Sequence, residues 1–89
     1  MSEMNLLFIM TDQQRWDALG AAGDWVETPN LDRLAAEGVR FSQCITTTPI
    51  CVPARVTMAT GRYPHNTSVW NNSDYTLPAD MPNWMRLVR

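Results

Sequence analysis

Cys51 heads the run Cys51-Val52-Pro53-Ala54-Arg55, which continues to Thr60-Gly61-Arg62. A proline two places after the cysteine suits the first turn of a helix, where its missing N–H is not needed. No other breaker interrupts residues 53–60, and Gly61 stands where a C-terminal cap would. The spacing predicts a helix over 53–60 with Cys51 at its N-terminal mouth. Such a mouth presents backbone N–H groups and the positive end of the helix dipole, which favour an anion or a negatively charged nucleophile. Arg55, one turn in, adds a fixed cation whose planar fork fits an oxyanion or orients the cysteine side chain. The competing reading is a structural cysteine ahead of a proline-started helix.

A second chemical candidate lies near the start of the chain. Residues 5–10 form a short apolar run bounded by polar residues, the pattern of a buried strand in a parallel sheet. Asp12 and Gln13 follow at its carboxyl end, where open α/β sheets bind ligands. A hard cation takes carboxylate oxygen there; without one, Asp12 simply caps the next turn.

The intervening elements would bring these two stretches together. Residues 15–22 read as a brief helix or irregular turn limited by Gly20 and Gly23, with Arg15 and Asp17 in solvent. Trp16 and Trp25 are expected to pack on the sheet. Thr28 is placed to cap a helix that has Pro29 first, Asp32 early and Gly38 at its end. Leu31, Leu34 and Ala35 give this helix an apolar face. Residues 39–45 alternate at Val39, Phe41 and Ile45 and read as a second strand. Strand, helix and strand make a right-handed crossover, which would put Asp12 and the loop 46–51 at one rim of the sheet. Residues 63–77 read as a polar loop with turn chemistry at Pro64, Asn66, Asn71 and Asn72. In it, His65 is expected in solvent and Trp70 as the anchor. A last helix is expected from Pro82, with Met81, Trp84, Met85 and Val88 apolar.

Composition narrows the function classes. At 89 residues the chain is one domain at most, and a chain of this size buries only about 60% of its unfolded surface. An apolar fraction of 45% is that of a folded protein. A net charge of −2 argues against a nucleic-acid or anionic-membrane partner. The longest apolar run, 6–10, is far too short for a membrane span or a signal-peptide core, so a cytoplasmic location is expected. Cys44 and Cys51 have neither redox-pair nor zinc-ribbon spacing. Every cation is an arginine, and His65 is the single histidine.

The box from Cys51 through Pro53, Ala54 and Arg55 to Thr60-Gly61 resembles the signature of the sulfatase family. The likeness extends over the chain. Residues 6–12 look like the family's first strand and metal aspartate. Thr28-Pro29-Asn30-Leu31-Asp32-Arg33-Leu34 and Glu37-Gly38-Val39-Arg40-Phe41 look like its first crossover. Leu77-Pro78-Ala79-Asp80-Met81-Pro82 resembles the approach to its next helix. The resemblance implies an α/β fold, the alkaline-phosphatase-like α/β/α sandwich with a mostly parallel sheet. Residues 1–89 would be the N-terminal fragment of such a catalytic domain.

The implied activity is hydrolysis of a small-molecule sulfate ester through formylglycine and a divalent metal ion. Cys51 would be the residue oxidised to formylglycine, by a formylglycine-generating enzyme. One hydroxyl of the hydrated aldehyde attacks sulfur, and the other then expels sulfate. By the same resemblance Asp12, Gln13 and the modified Cys51 are metal ligands, Arg55 stabilises the deprotonated diol, and Asn72 contacts substrate. Calcium is the expected metal, with magnesium and manganese as alternatives. Gln13 stands where many members have a second aspartate and brings no charge. The Asp12-Gln13 pair looks like the subgroup of bacterial arylsulfatases, choline sulfatases and phosphonate monoester hydrolases.

Two other functions fit the same residues: a phosphonate monoester or phosphodiester hydrolase on this fold, and a non-catalytic binding module that retains the half-sheet. A thiol redox protein using Cys51 is a weaker third. The family's catalytic lysine and histidines have no counterparts here, so the fragment itself is expected to be inactive.

Overall fold

The computed structural model describes residues 3–74 and 77–88. Tyr75 and Thr76 of the expected loop, and Arg89 of the expected last helix, lie outside them. The chain divides into two units, Met1–Gln43 and Cys44–Arg89.

The first unit contains helix α1, Pro29–Glu37, close to the expected bounds. Pro29 opens it, where φ is pre-set and the absent N–H costs nothing. Thr28 precedes it but does not cap it with its side chain. Its hydroxyl instead donates to Asp32 Oδ1 and accepts the Gly20 N–H, both at 2.8 Å. Asp32 Oδ1 also accepts the Ala21 N–H at 2.8 Å. These bonds tie the preceding loop to the first turn of α1. Gly38 ends the helix by donating its N–H to the Leu34 carbonyl, with φ at −119°, a conformation open to any residue.

Residues 15–22 form turns rather than a helix. Ala18 N–H bonds the Arg15 carbonyl, and the Ala22 and Gly23 N–H groups share that of Leu19. Two glycines in so short a stretch make a continued helix unfavourable. Arg15 is not simply solvated: it pairs with Asp17 and lies over the Trp25 ring, 5.4 Å from its centroid. Trp16 and Trp25 are exposed rather than packed on a sheet.

The expected parallel sheet is not formed: residues 5–10 and 39–45 are not strands, and no strand occurs among the described residues. Leu7, Ile9, Val39 and Phe41 are all strongly exposed. Strand hydrogen bonds run between segments, and buried parallel strands need a partner on each side and covered faces. Two short apolar segments cannot supply those conditions. The strand ends that were to present Asp12 and residues 46–51 are therefore absent among the described residues. The apolar face of α1 is likewise uncovered, with no residue of the helix buried.

The second unit is built on helix α2, Cys51–Thr60. The short helices α3, Pro64–Thr67, and α4, Trp84–Leu87, follow it. Its buried residues are Pro53 and Val56 from α2, Pro64 and Thr67 from α3, and Val69 just beyond. Thus the stretch expected as a polar loop carries a helix and much of the core. Its anchor is Val69, 1% exposed, not Trp70, 55% exposed. Valine fits a small closed space that an indole would overfill. His65 is exposed, as expected, and stacks on Tyr63 with centroids 5.7 Å apart.

The last helix begins at Trp84, after Pro82, because Asn83 caps it: the Asn83 side chain accepts the Arg86 N–H at 3.3 Å. No helix among the described residues is long and apolar enough to cross a membrane.

Candidate functional site

Cys51 is the first residue of α2, so the helix starts two residues before the proline-based expectation. Proline is tolerated anywhere in the first turn, and here it is the third residue. Its ring is fully buried, which seats this end of the helix in the core. Ile50 precedes the helix in an extended conformation, φ −130° and ψ 140°, and has no side-chain acceptor.

The donors at the mouth are largely spent. Ala54 N–H closes the first helical bond on the Ile50 carbonyl at 3.0 Å. Pro53 has no N–H, and Val52 N–H donates to Asn72 Oδ1 at 2.9 Å. The expected cluster of open backbone donors around Cys51 is thus reduced, since a helix end offers only its first few N–H groups. Cys51 is half-buried and Arg55 is exposed. Arg55 lies four residues on from Cys51, the spacing that puts two side chains on the same helix face.

Hydroxyls hold the flanks of α2. Thr47 Oγ1 donates to Thr57 Oγ1 at 3.1 Å, laying the preceding loop along the helix. Thr60 Oγ1 donates back to the Val56 carbonyl at 2.7 Å. Gly61 turns left-handed, φ 67°, and its N–H bonds the Thr57 carbonyl at 2.8 Å. A left-handed residue after the last turn ends the helix cleanly, so the Thr60-Gly61 pair has a local structural reason.

Asn72 is the expected site residue that the structure brings to this helix. It sits in a turn organised by Asn71, expected there, and by Asp74, which the sequence reading did not single out. Asp74 Oδ2 accepts the Trp70 N–H at 2.7 Å and the Asn71 N–H at 3.0 Å. Asn71 Oδ1 accepts the Ser73 N–H at 2.8 Å and the Ser73 hydroxyl. The signal for Asp74 was present in the cluster Asn71-Asn72-Ser73-Asp74, whose side chains are those that bond nearby backbone in turns.

Asp12 and Gln13 belong to the first unit, and both are exposed. Gln13 adopts φ 52°, a left-handed conformation uncommon outside glycine, asparagine and aspartate. Their oxygens suit a hard cation in kind but not in number, since calcium takes six to eight. Among the described residues no three His, Cys, Asp or Glu side chains gather in a metal-holding group.

Comparison with known proteins bears out the family resemblance. The family model described as Sulfatase matches residues 4–88. An ulvan-active sulfatase of Formosa agariphila is 47% identical over 77 residues, covering 85% of this chain and 15% of that protein. An N-acetylgalactosamine-6-sulfatase of Sus scrofa is 38% identical over 79 residues, 88% of this chain and 15% of that protein. An arylsulfatase of Clostridium perfringens is 45% identical over 58 residues, 64% of this chain and 12% of that protein. The chain spans only about 15% of the length of such relatives. No solved structure matches it. The matched family implies the alkaline-phosphatase-like α/β fold. With the match running over nearly all its residues, the chain belongs to the sulfatase family.

Proposed function

We propose that this chain is the N-terminal part of a catalytic domain that hydrolyses sulfate esters, with Cys51 as the reacting position. The observation that carries the reading is Cys51 as the first residue of α2 with Arg55 one turn along, within a chain matched by the sulfatase family. Formylglycine made from Cys51 by a formylglycine-generating enzyme would supply a hydrated aldehyde, with one hydroxyl to attack sulfur and another to release sulfate. A divalent ion, calcium by preference, would polarise the sulfate oxygens.

The chain's own residues have separable tasks. Helix α2 holds position 51 at its positive end, favouring the charged form of a nucleophilic oxygen. Arg55 places a cation on the same face, where negative charge develops. Asp12 and Gln13 would hold part of the metal, one contributing charge and the other only a carbonyl oxygen. Asn72 is proposed to contact substrate through its amide nitrogen, because its oxygen is used by Val52. The Asp12-Gln13 pair also supports a second reading, a phosphonate monoester or phosphodiester hydrolase on the same fold.

The test joins maturation to turnover. The gene containing this chain is co-expressed with a formylglycine-generating enzyme, and peptides spanning position 51 are weighed. An aldehyde at 51, an unmodified Cys44 and hydrolysis of an aryl sulfate are expected. Arg55→Lys, which keeps the charge and loses the fork, should lower kcat about a hundredfold. An intact thiol at 51 in an active enzyme would overturn the reading.

A further inference from the structure

We propose that Asn72 is a positioning residue that caps helix α2 from outside the helix and so fixes the turn carrying Cys51. The reading of Cys51 as the reacting position underlies the functional half of this inference.

Helices usually begin with Ser, Thr, Asp or Asn, whose side-chain oxygen takes an N–H of the first turn. Here that place is held by Ile50, which has no such oxygen. Asn72, twenty residues downstream, supplies the missing acceptor to Val52 N–H at 2.9 Å. Because a backbone N–H needs an oxygen opposite it, this bond also fixes which way the carboxamide faces.

The turn around Asn72 is arranged for that contact. Asp74 holds the N–H groups of Trp70 and Asn71, and Asn71 holds both the N–H and the hydroxyl of Ser73. Upstream, Val69 is sealed in the core. Asn71, Ser73 and Asp74 all spend their side chains inside the turn. Asn72 alone reaches out of it, and it reaches the second residue of the helix that begins with Cys51. A turn stiffened by its own side chains presents one carboxamide at a nearly fixed place. The backbone bearing Cys51 is thereby held without a side-chain cap from Ile50.

Amide hydrogen exchange in the full chain, read residue by residue by NMR, tests this directly. Asn72→Ala should speed exchange at Val52 tenfold or more, and should change Ala54, bonded to Ile50, much less. Asn72→Asp keeps the acceptor oxygen and should retain Val52 protection. Asp74→Ala touches neither α2 nor its donors, yet should reproduce part of the Val52 effect by loosening the turn. Unchanged Val52 exchange in Asn72→Ala would overturn the proposal. So would Asn72→Asp exchanging as fast as Asn72→Ala. If Asn72→Ala unfolds the unit, Asp74→Ala decides, and wild-type Val52 exchange in that variant would also overturn it.

In the active enzyme, Asn72→Ala and Asp74→Ala should both lower kcat, and Asn72→Ala, which also loses the substrate contact, should raise KM as well. The double variant should be no worse than Asn72→Ala alone. A rise in KM in Asn72→Ala with kcat unchanged in both variants would count against positioning and assign Asn72 to substrate contact alone. Amide exchange involves no turnover, so the capping role is tested even if the sulfatase reading fails.

Discussion

The two units carry comparable shares of apolar sequence but differ in what they do with it. In the first, none of the described residues is buried, and Leu7, Ile9, Val39 and Phe41 stand in solvent. In the second, Pro53, Val56, Pro64, Thr67 and Val69 are buried. The difference follows from the reach of the interactions each needs. Helices and turns satisfy their backbone within a few residues. A strand satisfies its backbone only against another strand, and a buried parallel strand needs two. The unit whose pattern is local folds on itself, and the unit whose pattern is sheet-like keeps its apolar segments unpaired.

The strongest way to break this contrast is to put the same charge into both units. Val69→Asp would bury a carboxylate at a position 1% exposed. Its cost is on the order of 3 kcal/mol or more, enough to unfold so small a core. Leu7→Asp, at a position 83% exposed, should leave helical content unchanged. It should also reduce self-association at high concentration, because it interrupts a short apolar run that would otherwise pair with its copies. Circular dichroism and light scattering on the two variants check both halves. Equal loss of helix in both variants would mean that residues 5–10 are as packed as the core.

What the sequence made legible divides along the same line. Helices α1 and α2 were readable because Pro29, Pro53, Gly38 and Gly61 punctuate them with local chemistry. Arg55 and Cys51 were readable because helical spacing alone aligns them. The start of α4 was displaced from Pro82 because the Asn83 cap outweighed the proline signal. The core around Val69 was missed: a lone valine among Asn, Ser and Thr has no periodicity to announce it. The sheet was legible as pattern, but a pattern states only which face would be buried, not what buries it. Asn72 was suggested by family likeness alone. Its bond to Val52 is long-range, and no spacing rule would have found it.

A finer test compares the glycines. A Cβ at Gly20 would come 2.3 Å from Asp32 Oδ2. Gly20→Ala should push the Asp32 carboxylate aside and weaken its bonds from Ala21 and Thr28, costing about 1–2 kcal/mol locally. Faster exchange at Ala21 with α1 intact is the expected reading. Gly61→Ala forces a left-handed alanine, φ 67°, with open space around it. Gly38→Ala meets only the Leu34 carbonyl at 3.1 Å, with ordinary φ. Gly61→Ala should therefore cost about 1 kcal/mol more than Gly38→Ala. Paired thermal melts check this, and equal costs would show that the left-handed cap does not stabilise α2.

The smallest expected effect lies in the first unit, at the Arg15–Asp17 pair. The hydrogen bond from Arg15 holds the Asp17 carboxyl below its ordinary value of 3.8, aided by the charge of Arg15 and a contact from Trp25 and opposed by partial burial. Binding the carboxylate more tightly than the acid means the pair favours the folded turn only while Asp17 is ionised. That contribution is fully present above the unfolded value, near 3.8, and is lost as pH falls through the lower folded value. At neutral pH it is constant, and with Arg15 largely in solvent it is screened by salt. Removing it by Arg15→Gln should therefore lower the thermal midpoint only slightly at pH 7. The Asp17 side-chain carbon should instead titrate at lower pH in the wild type than in Arg15→Gln. A common midpoint in the two proteins would show that the pair, and the Trp25 contact beside it, does not order residues 15–25.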